Sequence, residues 1–152
     1  MSRRDLIRMT PDEVDAYLQG IHTMNVATIG ADGRPHLAAM WYGFLDGAPA
    51  FWTYGKSQKV VNLRRDNRIT CLVETGTTYD TLQGVELVGV GTVLDDRESV
   101  MAVGRSVFER HTGPLSATDL PGLEQVGAKR VAVRIDVEKV VSWDHTKLGG
   151  SY

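Results

Sequence analysis

The sequence predicts a mostly β fold, an antiparallel β-barrel with flanking helices, and three observations carry that prediction. Short runs of strand-forming residues at 24–29, 36–44 and 50–54 are separated by the turn clusters Gly30-Ala31-Asp32-Gly33-Arg34-Pro35 and Asp46-Gly47-Ala48-Pro49, the spacing of an antiparallel meander. No stretch alternates strand, long helix and strand, which argues against a doubly wound parallel sheet. The chain's 152 residues, 42% hydrophobic and 24% charged, suit a single globular domain spanning 1–152.

Each element has its own signal. Thr10-Pro11-Asp12-Glu13 offers a capping box with proline in the first turn, and Val14, Tyr17, Leu18 and Ile21 follow on one helical stripe. The strand over 36–44 is apolar on both faces, with Leu37, Ala39 and Trp41 on one and Met40, Tyr42 and Phe44 on the other. A sheet with one wet face alternates more cleanly, so both sides of this strand need cover, from a barrel interior and either a helix or a partner subunit. Gly55-Lys56-Ser57 ends the third strand, and Ser57 is placed to cap a helix reaching about Asp66. A fourth strand is expected over 69–74 and a polar loop over 75–80. A long strand follows over 85–94, where Gly89 and Gly91 signal a bend or a close backbone approach. Asp95-Asp96-Arg97-Glu98 opens a helix with Val100, Val103, Val107 and Phe108 on one stripe, and residues 112–122 read as loop. The last strand, over 130–137, alternates Val131, Val133, Ile135 and Val137 inward with Arg130, Arg134 and Asp136 outward. The total is six strands and three helices.

Composition excludes several function classes. The 17 basic and 19 acidic side chains leave a net charge of −2, without the basic excess of a duplex-binding domain. A single cysteine, Cys71, rules out an intrachain disulfide and a cysteine-rich zinc site, and its apolar strand face marks it as core. No histidine–carboxylate cluster at ligand spacing points to a metal, and neither Ser-His-Asp nor Cys-His logic can be assembled. The opening residues lack the apolar core of a signal peptide, and no apolar run reaches the ~20 residues of a membrane helix. A cytoplasmic protein without membrane or nucleic-acid partners is expected.

Chemistry concentrates in Trp52-Thr53-Tyr54-Gly55-Lys56-Ser57-Gln58-Lys59 and the Asn62-Leu63-Arg64-Arg65-Asp66-Asn67-Arg68 string that follows. The window reads strand, glycine turn, helix start. Exposed N–H groups and the positive end of a helix dipole favour an anion there, and Lys59 adds a full charge. On a helical wheel Val60 and Leu63 share the buried side, while Lys59, Asn62 and Asp66, flanked by Arg65, form a polar wall. An ordinary capped surface helix carries the same pattern, because basic helical faces are common.

This window resembles the cofactor-phosphate segment of the pyridoxamine-5′-phosphate-oxidase-like split-barrel superfamily of flavin and deazaflavin proteins, aromatic-Thr-x-x-x-Ser-Arg-Lys before a Leu-rich turn and Asn-Pro. The likeness runs through most of the chain. The hairpin NVATIGADGRPHLAAMWYGF is similar to the family's ATxxxDGxPxxxPxWF, and LQGVELVGVGTVLDD to its long strand before the second helix. The resemblance implies a split β-barrel, FMN-binding-like and antiparallel Greek-key, and a homodimer with cofactor sites at the interface. Gln58 stands where the flavin mononucleotide (FMN) enzymes usually carry Arg. The C-terminal segment also lacks the Arg-rich substrate motif of true pyridoxamine-phosphate oxidases, which argues against that activity. The Asn62 to Arg68 string looks more like the actinobacterial branch that uses coenzyme F420, a deazaflavin with a phospholactyl-oligoglutamate tail. Lys56, Arg64, Arg65 and Arg68 can supply positive charge along such a tail.

Carried over residue by residue, the resemblance places the ring beside His36, Leu37, Ala38, Ala39 and Met40 and beside Trp52 and Thr53. It places the phosphate and tail near Lys56, Ser57, Gln58, Lys59, Asn62, Arg64 and Arg65. Plain core packing is the alternative for Trp41, Tyr42, Trp52 and Tyr54. In F420-using relatives the C-terminal tail approaches the cofactor pocket, sometimes from the other subunit. Trp143 and His145 are therefore further cofactor candidates, with His145 also able to polarise a substrate carbonyl; a Trp plug with solvent-exposed neighbours is the alternative. No side-chain nucleophile is expected, because the cofactor carries the reactive chemistry. The expected function is an F420-dependent reductase passing hydride to a small electron-poor acceptor such as an enone, quinone or tetrapyrrole. An FMN-dependent oxidoreductase and a non-catalytic flavin, F420 or haem binder are the alternatives.

Overall fold

The computed structural model describes residues 1–150; Ser151 and Tyr152, the end of the expected 1–152 domain, lie outside the described residues. The strands are β1 (Thr23–Ile29), β2 (Pro35–Trp41), β3 (Gly43–Leu45), β4 (Ala48–Tyr54), β5 (Arg68–Thr75), β6 (Gln83–Leu94) and β7 (Arg130–Asp144). The helices are α1 (Arg3–Ile7), α2 (Pro11–Gln19), α3 (Gln58–Arg65), α4 (Arg97–Thr112) and α5 (Leu120–Gly127). The seven strands form one curled antiparallel sheet in the order β2-β1-β5-β6-β7-β4-β3, a mostly β half-barrel with flanking helices. Strands β5, β6 and β7 follow one another while β4 returns beside β7, which is a Greek key.

The single strand expected over 36–44 divides at Tyr42. Its first half pairs with β1 at one edge of the sheet and its second half pairs with β4 at the other. One residue therefore carries the chain across the split. Tyr42 is fully buried, its hydroxyl donates to the Leu18 carbonyl at 2.6 Å, and burial pushes its pKa up to about 12. Arg110 of α4 grips the same corner. Its Nε donates to the Tyr42 carbonyl at 3.0 Å, and its other nitrogens reach the carbonyls of Leu18, Gln19 and Gly20 at 3.2, 3.2 and 2.8 Å. These carbonyls at the end of α2 have no partner within the helix, so a cation is a fitting donor.

Local signals hold where the sequence is explicit. Thr10 and Glu13 form the reciprocal capping box, and Asp96 accepts from the Ser99 N–H at 2.9 Å to start α4. Other expectations change. Gly20 caps α2 after Gln19, which leaves Ile21 64% exposed. In β7 the register shifts opposite Val88 and Gly89, with Glu138 as the extra residue, so Val137 turns outward and is exposed. Gly89 permits this bulge, because a Cβ there would stand 2.1 Å from the Asp136 carbonyl oxygen. Strand β7 also runs on to Asp144, α1 precedes the expected first helix, and α5 occupies the end of the expected loop.

Two apolar clusters hold these elements. The barrel interior joins Met24, Val26, Phe51, Val85 and Ile135, with Val14 and Leu18 of α2 closing one side. Outside the sheet, Trp52 and Ala132 pack on Val103 and Val107 of α4 and on Leu123 of α5. Each fully buried side chain of this kind contributes ~1.5–3 kcal/mol. Cys71 belongs to the interior, and burial raises its thiol to about 12, consistent with a packing role. Among the described residues no helix is long and apolar enough to cross a membrane, and no group of His, Cys, Asp or Glu is arranged to hold a metal ion.

Candidate cofactor site

Strand β4 sends alternate side chains to opposite faces: Phe51 and Thr53 toward the barrel, Ala50 and Trp52 toward α4. The chain then turns through Gly55-Lys56-Ser57 into α3. Ser57 occupies the N-cap position, yet its hydroxyl caps nothing; it accepts from Thr53 Oγ1 at 3.4 Å. The first-turn N–H groups of α3 thus lack a side-chain cap. Lys59 Nζ donates to Thr53 Oγ1 at 3.2 Å. Burial holds the Lys59 ammonium below the ordinary lysine range, and the nearby Arg130 guanidinium pushes the same way. Among the described residues no carboxylate pairs with Lys59. A half-buried cation beside another cation, with no counter-charge, is a place that an anion relieves.

Arg130 supplies that second charge, although sequence spacing reads it only as an outward strand residue. It opens β7 directly across from Tyr54, and its guanidinium lies over the Trp52 ring at 5.0 Å and the Tyr54 ring at 4.6 Å. Its Nε is buried and has no hydrogen-bond partner. Only strand pairing between distant segments brings it here, so no local motif announces it.

A polar relay backs the corner. Asn62 is fully buried, not part of an exposed wall: its Nδ2 donates to Thr28 Oγ1 at 3.0 Å, and its Oδ1 accepts from Gln58 Nε2 at 2.8 Å. Gln58 therefore spends its donor on Asn62. Thr28 faces His36 across the β1–β2 hairpin, so their side chains share a face, and His36 Nδ1 is buried without a partner. Thr28 escapes a motif search, but the turn at Gly30 to Pro35 sets it opposite His36. Along β2, His36, Ala38 and Met40 are half-buried, whereas Leu37, Ala39 and Trp41 face solvent, Leu37 at 70% and Trp41 at 56% exposure. The five β2 candidates are thus divided between two faces.

The remaining candidates disperse. Arg64 pairs with Asp95 at 2.8 Å and Arg68 with Asp66 at 2.7 Å, while Arg65 donates to the Ile29 carbonyl. Lys56 is exposed and has no ion pair among the described residues. Trp143 sits opposite Gly84 near the other end of β7, roughly 43 Å of strand from Arg130 at ~3.3 Å per residue. His145 just beyond it is buried, with its ring edge-on to Tyr79 at 4.5 Å and its Nδ1 unpartnered. Within one chain, Trp143 and His145 do not join the Lys59 corner.

Residues 10–144 match the family model described as pyridoxamine 5′-phosphate oxidase. The chain belongs to this family. Its fold is the split barrel that binds flavins or related cofactors. No curated protein matches the sequence. Among solved structures, a conserved hypothetical protein from Mycobacterium tuberculosis is 45% identical with a TM-score of 0.94, covering 100% of this chain and 95% of its own. An F420 reductase is 21% identical with a TM-score of 0.64, covering 83% of this chain and 94% of its own. The haem storage protein of Vibrio cholerae is 13% identical with a TM-score of 0.65, covering 87% and 94%. The last two likenesses show the pyridoxamine 5′-phosphate oxidase fold alone.

Proposed function

We propose that this protein binds coenzyme F420 at the β4–α3 corner and acts as an F420-dependent reductase of a small electron-poor acceptor, such as an enone, quinone or tetrapyrrole. Lys59 carries the reading: a half-buried ammonium held by Thr53, beside Arg130, with no carboxylate partner among the described residues. A phosphate there meets a full charge plus the uncapped N–H groups of α3 and the Ser57 hydroxyl. Lys56 and Arg65 continue the positive charge along the helix for the carboxylates of the tail. When bound, the deazaflavin supplies the hydride-carrying carbon. The chain's own part is to bind, orient and exclude water. Trp52 and Met40 give the ring an apolar wall, and the half-buried His36 stands on the same β2 face as Met40.

Gln58 favours F420 over FMN, since its amide is committed to Asn62 and adds no charge to a tight phosphate clamp. The FMN reading draws its support from the family match itself. A homodimer completes either site. The exposed Leu37, Ala39 and Trp41 face gives the partner an apolar seat, and Trp143 and His145 reach the ring only from the partner subunit.

Titration of the cofactor-free protein with F420 and with FMN tests this reading. F420 binds more tightly, and Lys59→Ala weakens it by about 1.5–3 kcal/mol, roughly 10- to 150-fold. Tighter FMN binding, or an unchanged F420 affinity in Lys59→Ala, overturns it. Tight F420 binding without turnover across a panel of enones and quinones would leave a binder in place of a reductase.

A further inference from the structure

We infer that the cleft between Trp52, α4 and α5 is a pocket for a small planar carboxylate, oriented by Arg130. It encloses about 440 Å³ and is walled by Trp41, Trp52, Phe108, Leu123 and Val126. That is the low end of the range for small-molecule sites, the size of a one- or two-ring ligand. Arg130 is the one charged residue among its described lining residues, and no carboxylate lies there. The Trp52 and Tyr54 rings hold the guanidinium, and its Nε is buried without a hydrogen-bond partner. A buried N–H without an acceptor is unfavourable, and a planar carboxylate offers the fork geometry that satisfies it. The aromatic walls select a flat ligand: Trp41 is itself held by stacking on His111, with centroids 4.0 Å apart and planes 8° from parallel. A larger hollow of about 650 Å³ beneath α1 and α2 is lined by no buried unpartnered polar atom. It makes no comparable chemical demand.

The pocket also touches Met40, beside which the proposed function places the ring. The inference deepens that function by naming the acceptor's class as a planar acid, and in this respect alone it rests on it. Arg130 borders both sites: it is the second charge beside Lys59, which takes the cofactor phosphate, while its own guanidinium is left for the acid.

Calorimetric titration of the cofactor-free protein with 2-naphthoate and its neutral isostere 2-naphthamide tests the pocket directly. Naphthoate binds about tenfold or more tightly than naphthamide. Arg130→Gln abolishes that preference, and Arg130→Lys restores part of it. Val126 is 46% exposed at the mouth, so Val126→Glu tolerates folding and weakens naphthoate alone by repulsion. Equal affinities for the two probes, a preference that survives in Arg130→Gln, or indifference to Val126→Glu overturns the inference. These titrations contain no F420, so their failure leaves the cofactor reading standing, and a failed F420 titration leaves the pocket standing.

Discussion

Arg110→Met removes the cation that holds the two edges of the split together while keeping most of the apolar stem. The loss is greatest at the Tyr42 carbonyl, which accepts from Arg110 Nε at 3.0 Å in a corner where Tyr42 itself is fully buried. Leaving it unpaired costs ~1–3 kcal/mol. The Leu18 and Gly20 carbonyls keep the Tyr42 hydroxyl at 2.6 and 3.4 Å, and the Gln19 contact is exposed, so these add little. The guanidinium also lies over the Tyr42 and Phe44 rings at 4.8 and 5.0 Å, each such contact being worth ~0.5–1 kcal/mol. The sum is about 3 kcal/mol, or a fall of roughly 6–12 °C in Tm for a chain of this size. Thermal unfolding followed by circular dichroism reads it against Arg105→Met on the exposed side of α4, which changes stability by less than ~0.5 kcal/mol. If the two variants melt within ~1 kcal/mol of each other, the corner is not held by Arg110 and this reasoning fails.

Other outcomes follow from the same contacts. Lys59 has a lowered pKa in the folded chain, so folding disfavours its protonated form, and its penalty shrinks as pH rises from that lowered value toward the ordinary 10.5. Cofactor affinity moves the opposite way, falling over the same window as the ammonium is lost; fluorescence titration sees this slope in the wild type and none in Lys59→Met. Gly104→Ala places a Cβ 2.4 Å from the Trp52 ring. Helix propensity favours alanine by ~1 kcal/mol but overpacking costs ~1–3, so urea unfolding shows a net loss and Trp emission shifts; a gain in stability contradicts the packing. Leu37→Asp converts the proposed dimer to monomer at micromolar concentration in sedimentation equilibrium, and a variant that sediments as a dimer excludes this face as the interface.

Sequence legibility followed distance along the chain. The caps at Thr10 and Asp96, the Gly55 to Lys59 turn and the hairpin at Gly30 are local, and each is read from neighbouring residues. The division of 36–44 at Tyr42 is not local, since it depends on which edge each half meets, and both halves have the same apolar alternation. Helix α5 hides behind Pro121 and Gly122, although proline in a first turn is itself a start signal. In the site, Lys59 and Ser57 stand in a recognisable order, whereas Arg130 and Thr28 arrive by strand pairing. Asn62 reads as a surface residue until its two amide partners, Thr28 and Gln58, make its burial affordable.

A crystal structure of the F420 complex probes the Lys59 corner most directly. The phosphate should lie within ~3 Å of Lys59 Nζ, on the amides at the start of α3. Density placing that phosphate elsewhere, with Lys59 still bonded only to Thr53, would remove the basis for cofactor binding at this corner.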